Sequence, residues 1–470
     1  MEEKRSETAS VGTADQRLGT APLLPLIFSL ALPTALAQLV NMLYNIVDRI
    51  YVGHIPGTGS LALAGLGVTY PIIVLITAFS NLVGMGGAPR ASVAMGRGDY
   101  KTAEKILGNC ITILVVLSVV LSVVFTIYGE PVLLAFGASE NTLPYAMAYL
   151  RIYLLGTIFV QFTLGMTPFI TNQGFAKTSM ATTCIGAISN IILDPIFIYG
   201  FNMGVVGAAV ATILSQALSM IWVLCFFLGK RSVLRIRKEN LIPDKAILVL
   251  VLSLGVSPFL MTATECLIQL SFNTGAATYG GDSAVAIMSI LFSVSQIANL
   301  PVQGFCQGAQ PLIGYNFGAQ KLERVRKTFQ VMLTVSMSTT TLVVAAVEIA
   351  PQMFLGLFSS DAAIVAIGSA PLRIYMLGHF FMGAQNACQQ TFLGLGEAKL
   401  SMFIALLRKV ILLLPLSLVI PRVFGLLGIS QLLGLYVAEP VSDFISASTC
   451  TILFFVIEWK KLNPAPKATN

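Results

Sequence analysis

Three acids stand where acids are rare. Asp48, Asp194 and Glu265 each interrupt a long apolar stretch, and a carboxylate in an apolar medium is costly unless it pairs, takes a proton or binds a cation. Asp48 follows NMLYNIV and precedes Arg49, so it serves either as a local ion pair at the end of its segment or as an ion site. Asp194 lies four residues after Asn190, on the same face of a helix. It directly precedes Pro195, whose missing N–H frees a carbonyl near Ile191 as a further oxygen; the competing reading is an aspartate at a helix end near the surface. Glu265, in GVSPFLMTATECL, has no basic residue near it in sequence and reads as a lone proton or substrate contact. The chemistry these residues offer is reversible binding of a small cation or proton.

Other chemistries lack their residues. The one Gly-Lys pair, Gly229-Lys230, is followed by Arg231, so there is no phosphate-binding GxxxxGK loop to hold a nucleotide. Neither HExxH nor GxSxG occurs. Of the two histidines, His54 is expected to cap the outer end of its helix and His379 to pack inside its own. The seven cysteines lie in apolar stretches without metal-ligand spacing and read as small buried hydrophobes. No cofactor and no structural metal are expected.

The elements that position the acids follow from composition. Of 470 residues, 56% are hydrophobic and 10% charged, against about a quarter charged in soluble domains. Such a chain needs a bilayer as partner. Apolar segments fall near 24–53, 61–95, 105–128, 141–169, 179–200 and 205–228, then near 246–275, 284–315, 328–350, 365–393, 400–421 and 431–457. With a cytoplasmic N-terminus, 21 of the 28 Lys and Arg fall on the inner side and only Arg422 on the outer, so the positive-inside rule puts both termini inside the cell membrane. The net charge of +7 thus reports topology and calls for no nucleic acid.

The chain repeats itself. LRIYLLG from Leu150 recurs as LRIYMLG from Leu372, and GFAKTSM from Gly174 recurs as GEAKLSM from Gly396, at one offset of 222 residues. A looser pair, GGAPRASVAMGRGDYK from Gly86 and QGAQPLIGYNFGAQK from Gln307, fits the same period. Six spans per copy make the repeats parallel. The expected fold is an all-α polytopic membrane protein of twelve transmembrane helices in two six-helix bundles. Its divisions are a cytoplasmic tail 1–23, an N-terminal lobe 24–228, a basic linker 229–245, a C-terminal lobe 246–457 and a cytoplasmic tail 458–470. Arg151 and Arg373 occupy equivalent repeat positions and read as structural, while Arg408 and Lys409 are placed to pair with Glu439 or Asp443.

QLVNMLYNIVDRIYVGHIPGTGSLALAGLG, SNIILDPIFIYGFNMGVVGAAVATILSQ, GEAKLSM and YVAEPVSDF resemble the MATE family of multidrug and toxic compound extrusion transporters over nearly the whole chain. LYNIVD and NIILDP most resemble its MepA-like branch, near the DinF-type members. The resemblance implies a two-lobed exporter exchanging lipophilic, often cationic, drugs or toxic metabolites for H+ or Na+ by alternating access, working as a monomer. A metabolite or lipid-linked saccharide flippase of the same superfamily is the second reading and a membrane-embedded enzyme a remote third. In DinF-like members the coupling-ion network comprises residues that match Asp48, Tyr149, Asn190, Asp194 and Thr212 here. In NorM-like members a glutamate matching Glu265 and an aspartate of span ten also bind the cation, but the second position falls near Met382 and Gly383, where no acid exists. The substrate cavity is expected to be lined by side chains such as Gln38, Met42, Phe292, Gln296 and Gln385, with few fixed cations.

Overall fold

The structure, a computed structural model, describes residues 17–359 and 361–463; the expectations for tail residues 1–16 and 464–470 lie outside these. Among the described residues the chain is helical throughout. Spans one to three are Leu23–Gly53, Gly59–Gly96 and Tyr100–Ala135. Span four is a bent pair, Leu143–Leu155 and Thr157–Asn172, meeting at 61° about Gly156. Gly156 lies so close to Ile213 of span six that a side chain there has no room. Spans five and six are Ala176–Gly200 and Val205–Leu228.

The stretch Lys245–Gly318 is 74 residues long, far beyond a bilayer's thickness at 1.5 Å per residue. It breaks at Gly281, whose φ of 66° and ψ of −160° no helix contains. Spans seven and eight therefore meet there, and the loop between them shrinks to this glycine. Spans nine to twelve are Leu322–Ile349, Ala362–Leu395, Ala398–Leu426 and Gln431–Leu462. That gives the expected twelve. Several spans are capped by aspartates outside the bilayer: Asp99, Asp244 and Asp361 accept from the amides of Thr102, Ala246 and Ala363 at 3.0, 2.8 and 2.8 Å.

The repeat is visible in the backbone. Gly174 and Gly396 are 222 positions apart, and both adopt the left-handed conformation (φ 88° and 78°) that ends one helix and frees the chain to start the next. Gly98 (φ 78°) and Gln320 (φ 58°) repeat the device with a glutamine in the second copy. The seam between bundles is symmetric as well. Gly96 of span two abuts the backbone of Tyr315 and Ala319, and Gly318 of span eight abuts Val93 and Arg97, the same pair of contacts with the two copies exchanged. Gly86 meets Val251 and Gly255 of span seven, while its counterpart Gly308 meets Leu30 and Ala31 of span one. Parallel repeats facing each other across a pseudo-twofold axis produce this exchange.

All of these close approaches lie in the half of the bundle that carries the lysines and arginines, at the start of spans one and seven and the end of spans two and eight. Further outward the links become side-chain contacts: Gln38 Nε2 donates to Gln307 Oε1 at 3.0 Å and Asn81 Nδ2 to Thr262 Oγ1 at 3.1 Å. Beyond them Asn41, Asn45 and Gln296 are exposed. The bundles thus touch backbone to backbone at the basic end, and toward the other end their links are side-chain contacts and exposed polar groups. The linker forms one 3-10 turn, Lys238–Leu241, and is strapped to span three: Arg237 pairs with Glu104 at 2.6 Å and Lys105 with Asp244 at 2.5 Å.

Two predictions follow from backbone geometry. Gln320→Gly removes a left-handed glutamine and should stabilise the protein by about 1 kcal/mol, read as a higher midpoint of thermal unfolding in detergent; a lower midpoint would count against the strain. Gly308→Val places a Cβ 2.5 Å from Ala31 Cα and should pry the basic end open. Spin labels at Asn45 and Gln296 should then report shorter distances at the opposite end than in the parent, and an unchanged distribution would contradict the seam's role.

Candidate functional site

Span five sets the site. Its helix runs from Ala176 through Pro195 and then widens into a π-helical turn, Ile196–Gly200, a feature that proline's missing donor favours and that recurs at functional positions. Asn190 and Asp194 share one face, and Asn190 Nδ2 donates to Asp194 Oδ1 at 3.2 Å. Asp194 is 0% exposed. Asp48, from span one, brings its carboxyl group to hydrogen-bonding range of Asp194. Arg49 sits instead over the Tyr70 ring, 5.1 Å from its centroid, so the local Asp48–Arg49 ion pair is not formed among the described residues.

Tyr149 of span four faces Thr212 of span six, whose Oγ1 donates to the Ala208 carbonyl at 2.9 Å. Tyr149 also faces Asp48, so Asp48, Tyr149, Asn190, Asp194 and Thr212 form one cluster. Tyr44, one turn before Asp48, faces both carboxyl groups and was missed; its place in LYNIVD, four residues before the acid, was the available signal. Asp48 Oδ1, Asp194 Oδ2 and Asn190 Oδ1 are buried without hydrogen-bond partners. Two carboxylates at this range cannot both remain charged unless a proton or a cation sits between them.

The residues expected along a cavity are dispersed. Gln38 ties span one to span eight, Met42 is half-buried and Gln296 exposed. Phe292 packs edge-on against Phe272 and Tyr375, at 5.8 and 6.2 Å between centroids. Gln385 is buried and accepts from Ser446 Oγ at 3.2 Å, so it is committed to packing between spans ten and twelve.

The C-terminal bundle holds a second charged cluster. Span eleven contains a π-helical turn, Leu407–Leu413, and the consecutive basic residues within it diverge. Arg408 reaches span twelve, with Nε 2.8 Å from Asp443 and NH2 3.2 Å from Glu439. Lys409 turns the other way, to Glu265 and to the Met261 carbonyl at 2.5 Å. Glu265 is therefore not the lone carboxyl expected, because a lysine 144 residues away in sequence pairs with it. Near Met382, Gly383 lies against Thr340 and Ser336 of span nine, which leaves that stretch of span ten to packing. Elsewhere His54 caps span one through Nδ1 and the Ile50 carbonyl at 2.8 Å, and Arg373 lies 3.8 Å from Glu348. The seven cysteines are free; four are buried, and Cys225 is exposed on the bundle surface.

Comparison with known proteins decides the family. The MatE profile matches residues 33–196 and 258–419, which together exceed half of the chain. The chain belongs to the MatE family. The two matched stretches are the two copies of the repeat, and members of this family are transporters, not enzymes. Among curated relatives, Multidrug export protein MepA of Staphylococcus haemolyticus is 28% identical over 88% of this chain and 90% of that protein. MepA of Staphylococcus aureus is 26% identical over 87% and 90%. A solved outward-facing multidrug resistance MATE transporter superposes with a TM-score of 0.87 at 21% identity, covering 96% of this chain and 99% of that one. A MATE structure in the bent conformation gives 0.88 at 22%, over 96% and 98%. These likenesses establish the MATE fold, in which the carboxyl pair of spans one and five stands with unpartnered oxygens while the C-terminal bundle sets Arg408 and Lys409 against Glu265, Glu439 and Asp443.

That difference between bundles is testable through stability. Arg408→Met strands Glu439 and Asp443 without their cation and should cost about 3–5 kcal/mol, read as loss of folded protein in detergent. The triple variant Arg408→Met/Glu439→Gln/Asp443→Asn should recover most of it. A single variant as stable as the parent would show that the guanidinium is not the neutralising group.

Proposed function

We propose that this protein is a multi-pass exporter of the cell membrane, with both termini cytoplasmic, which expels lipophilic and cationic small molecules in exchange for H+ or Na+ by alternating access. The observation that carries the coupling is the Asp48–Asp194 carboxyl pair, buried beside Asn190, with three oxygens lacking partners. A lone proton or sodium ion is what such a group takes and gives up. The export reading draws on the relatives named as multidrug export proteins. Alternating access is supported by a seam that packs backbone on backbone at the basic end while links toward the opposite end are side-chain contacts and exposed polar groups; with basic loops in the cytoplasm, this arrangement faces outward. In that state an ion from outside reaches the carboxyl pair as drug leaves. Tyr149, beside Thr212, and Tyr44 supply phenolic oxygens around the pair, and Asn190 keeps Asp194 oriented through its amide. Five residues from spans one, four, five and six are drawn into one cluster, so ion binding bends the N-terminal bundle as a unit. Glu265, neutralised by Lys409, has a secondary part at most, and one chain suffices for the cycle.

Asp194→Asn keeps the size and hydrogen bonding of the side chain and removes its charge. The reconstituted variant should bind drug with parent affinity while losing gradient-driven efflux by more than about tenfold, on the order of 1.4 kcal/mol in the coupled step. Efflux within about twofold of the parent at equal protein level would exclude Asp194 as the coupling carboxylate.

A further inference from the structure

The C-terminal cluster does not balance. Among the described residues, Glu265, Glu439 and Asp443 pair with Arg408 and Lys409 alone, so one carboxylate is in excess at a depth where an unneutralised charge is expensive. Lys409 is spent on Glu265. Between the two acids of span twelve, Asp443 is 0% exposed and holds Arg408 more closely. Glu439, 6% exposed, takes the longer contact and leaves Oε2 without a partner, as Asp443 leaves Oδ2. A second polar group looks on unpartnered. His379, 3% exposed on span ten, neighbours Asp443 and Arg408, leans toward the Ser295 backbone and completes no well-formed hydrogen bond at either nitrogen. Tyr375, buried one turn before it, faces Glu439 and Asp443.

The backbone around the cluster is built to move. Span ten is interrupted between Met376 and His379, and Gly378 in the break lies against Pro440 and Asp443. Glu439 directly precedes Pro440 inside span twelve, as Asp194 precedes Pro195 inside span five. The Arg408 carbonyl, loosened by the π-helical turn, accepts from Ser442 Oγ at 3.0 Å.

We propose that Glu439, with Asp443, Arg408 and His379 around it, is a second proton-binding centre that loads and unloads one proton during transport independently of the Asp48–Asp194 pair. The proton comes from water and forms an O–H bond at Glu439. Arg408 is then held by Asp443 alone, and spans ten and twelve part at Gly378. On return to water the proton leaves its electron pair on the carboxylate, which closes again on Arg408. The linkage to drug rests on the export reading above, but the centre's own protonation does not.

Drug-induced proton release separates the two. Purified protein in weakly buffered detergent is mixed with ethidium, and a pH-indicator dye counts protons released by the parent, by Asp48→Asn/Asp194→Asn and by Glu439→Gln. The inference expects each variant to retain about half of the parent's release, and a protein carrying all three substitutions to release none. Glu439→Gln releasing as much as the parent, or Asp48→Asn/Asp194→Asn releasing nothing while still binding ethidium, overturns it. If instead Asp48→Asn/Asp194→Asn releases as much as the parent and Glu439→Gln releases nothing, the C-terminal centre stands and proton coupling at the N-terminal pair fails, leaving Na+ as its only ion. Should Glu439→Gln not fold, infrared difference spectra recorded on adding ethidium at constant pH to folded Asp48→Asn/Asp194→Asn decide the matter. Loss of a carboxylic C=O band on binding is expected, and no change in that region overturns the proposal.

Discussion

A charge inside a bilayer must be neutralised, and most of this architecture can be read as the working out of that rule. Arg49 lies over an aromatic face, Arg373 beside Glu348, Arg408 between two acids and Lys409 against Glu265. Each arrangement removes a cost of several kcal/mol per ion. The Asp48–Asp194 pair breaks the rule, because two acids face each other with no fixed cation at their oxygens.

The glycine seam gives that site its conformational setting. Gly86, Gly96, Gly308 and Gly318 let backbones touch with no side chain between them, so the closed end is held by many small dispersion contacts and few polar bonds. Few polar bonds must break for such a seam to open, the one from Ser92 Oγ to the Pro311 carbonyl at 3.2 Å among them. The symmetry of the seam contrasts with the asymmetry of the chemistry. Duplication copied the glycine turns at 174 and 396, while Asp194 maps onto Leu416. In the C-terminal bundle an ammonium on span eleven stands beside Glu265, and the N-terminal pair has no such partner.

Much of this was legible in the chain. Hydropathy carried the spans, since a bilayer leaves few alternatives to a run of apolar residues, and the 222-residue offset carried the duplication. Asn190 and Asp194 could be put on one face by spacing alone, Asp48 stood out as an acid in an apolar run, and the family motifs added Tyr149 and Thr212. What stayed hidden was long-range or local in backbone. No pattern ties Lys409 to Glu265, because the contact depends on how a π-helical turn rotates two consecutive side chains apart. Gln385 looked like a cavity residue by type, yet its orientation is set by Ser446 across the helix interface. Gly281 gave no sign that it replaces a whole loop, and the 61° bend of span four needs the close approach of Ile213 to explain it.

The central claim is that the N-terminal carboxyl pair trades an ion for drug. It is tested most directly by the purified protein in liposomes loaded with ethidium, with proton and sodium gradients imposed separately and together. The account predicts that at least one gradient drives ethidium against its own concentration difference and that collapsing the gradient abolishes the movement. Ethidium distributions that settle at the same level with either gradient, both or neither would contradict it.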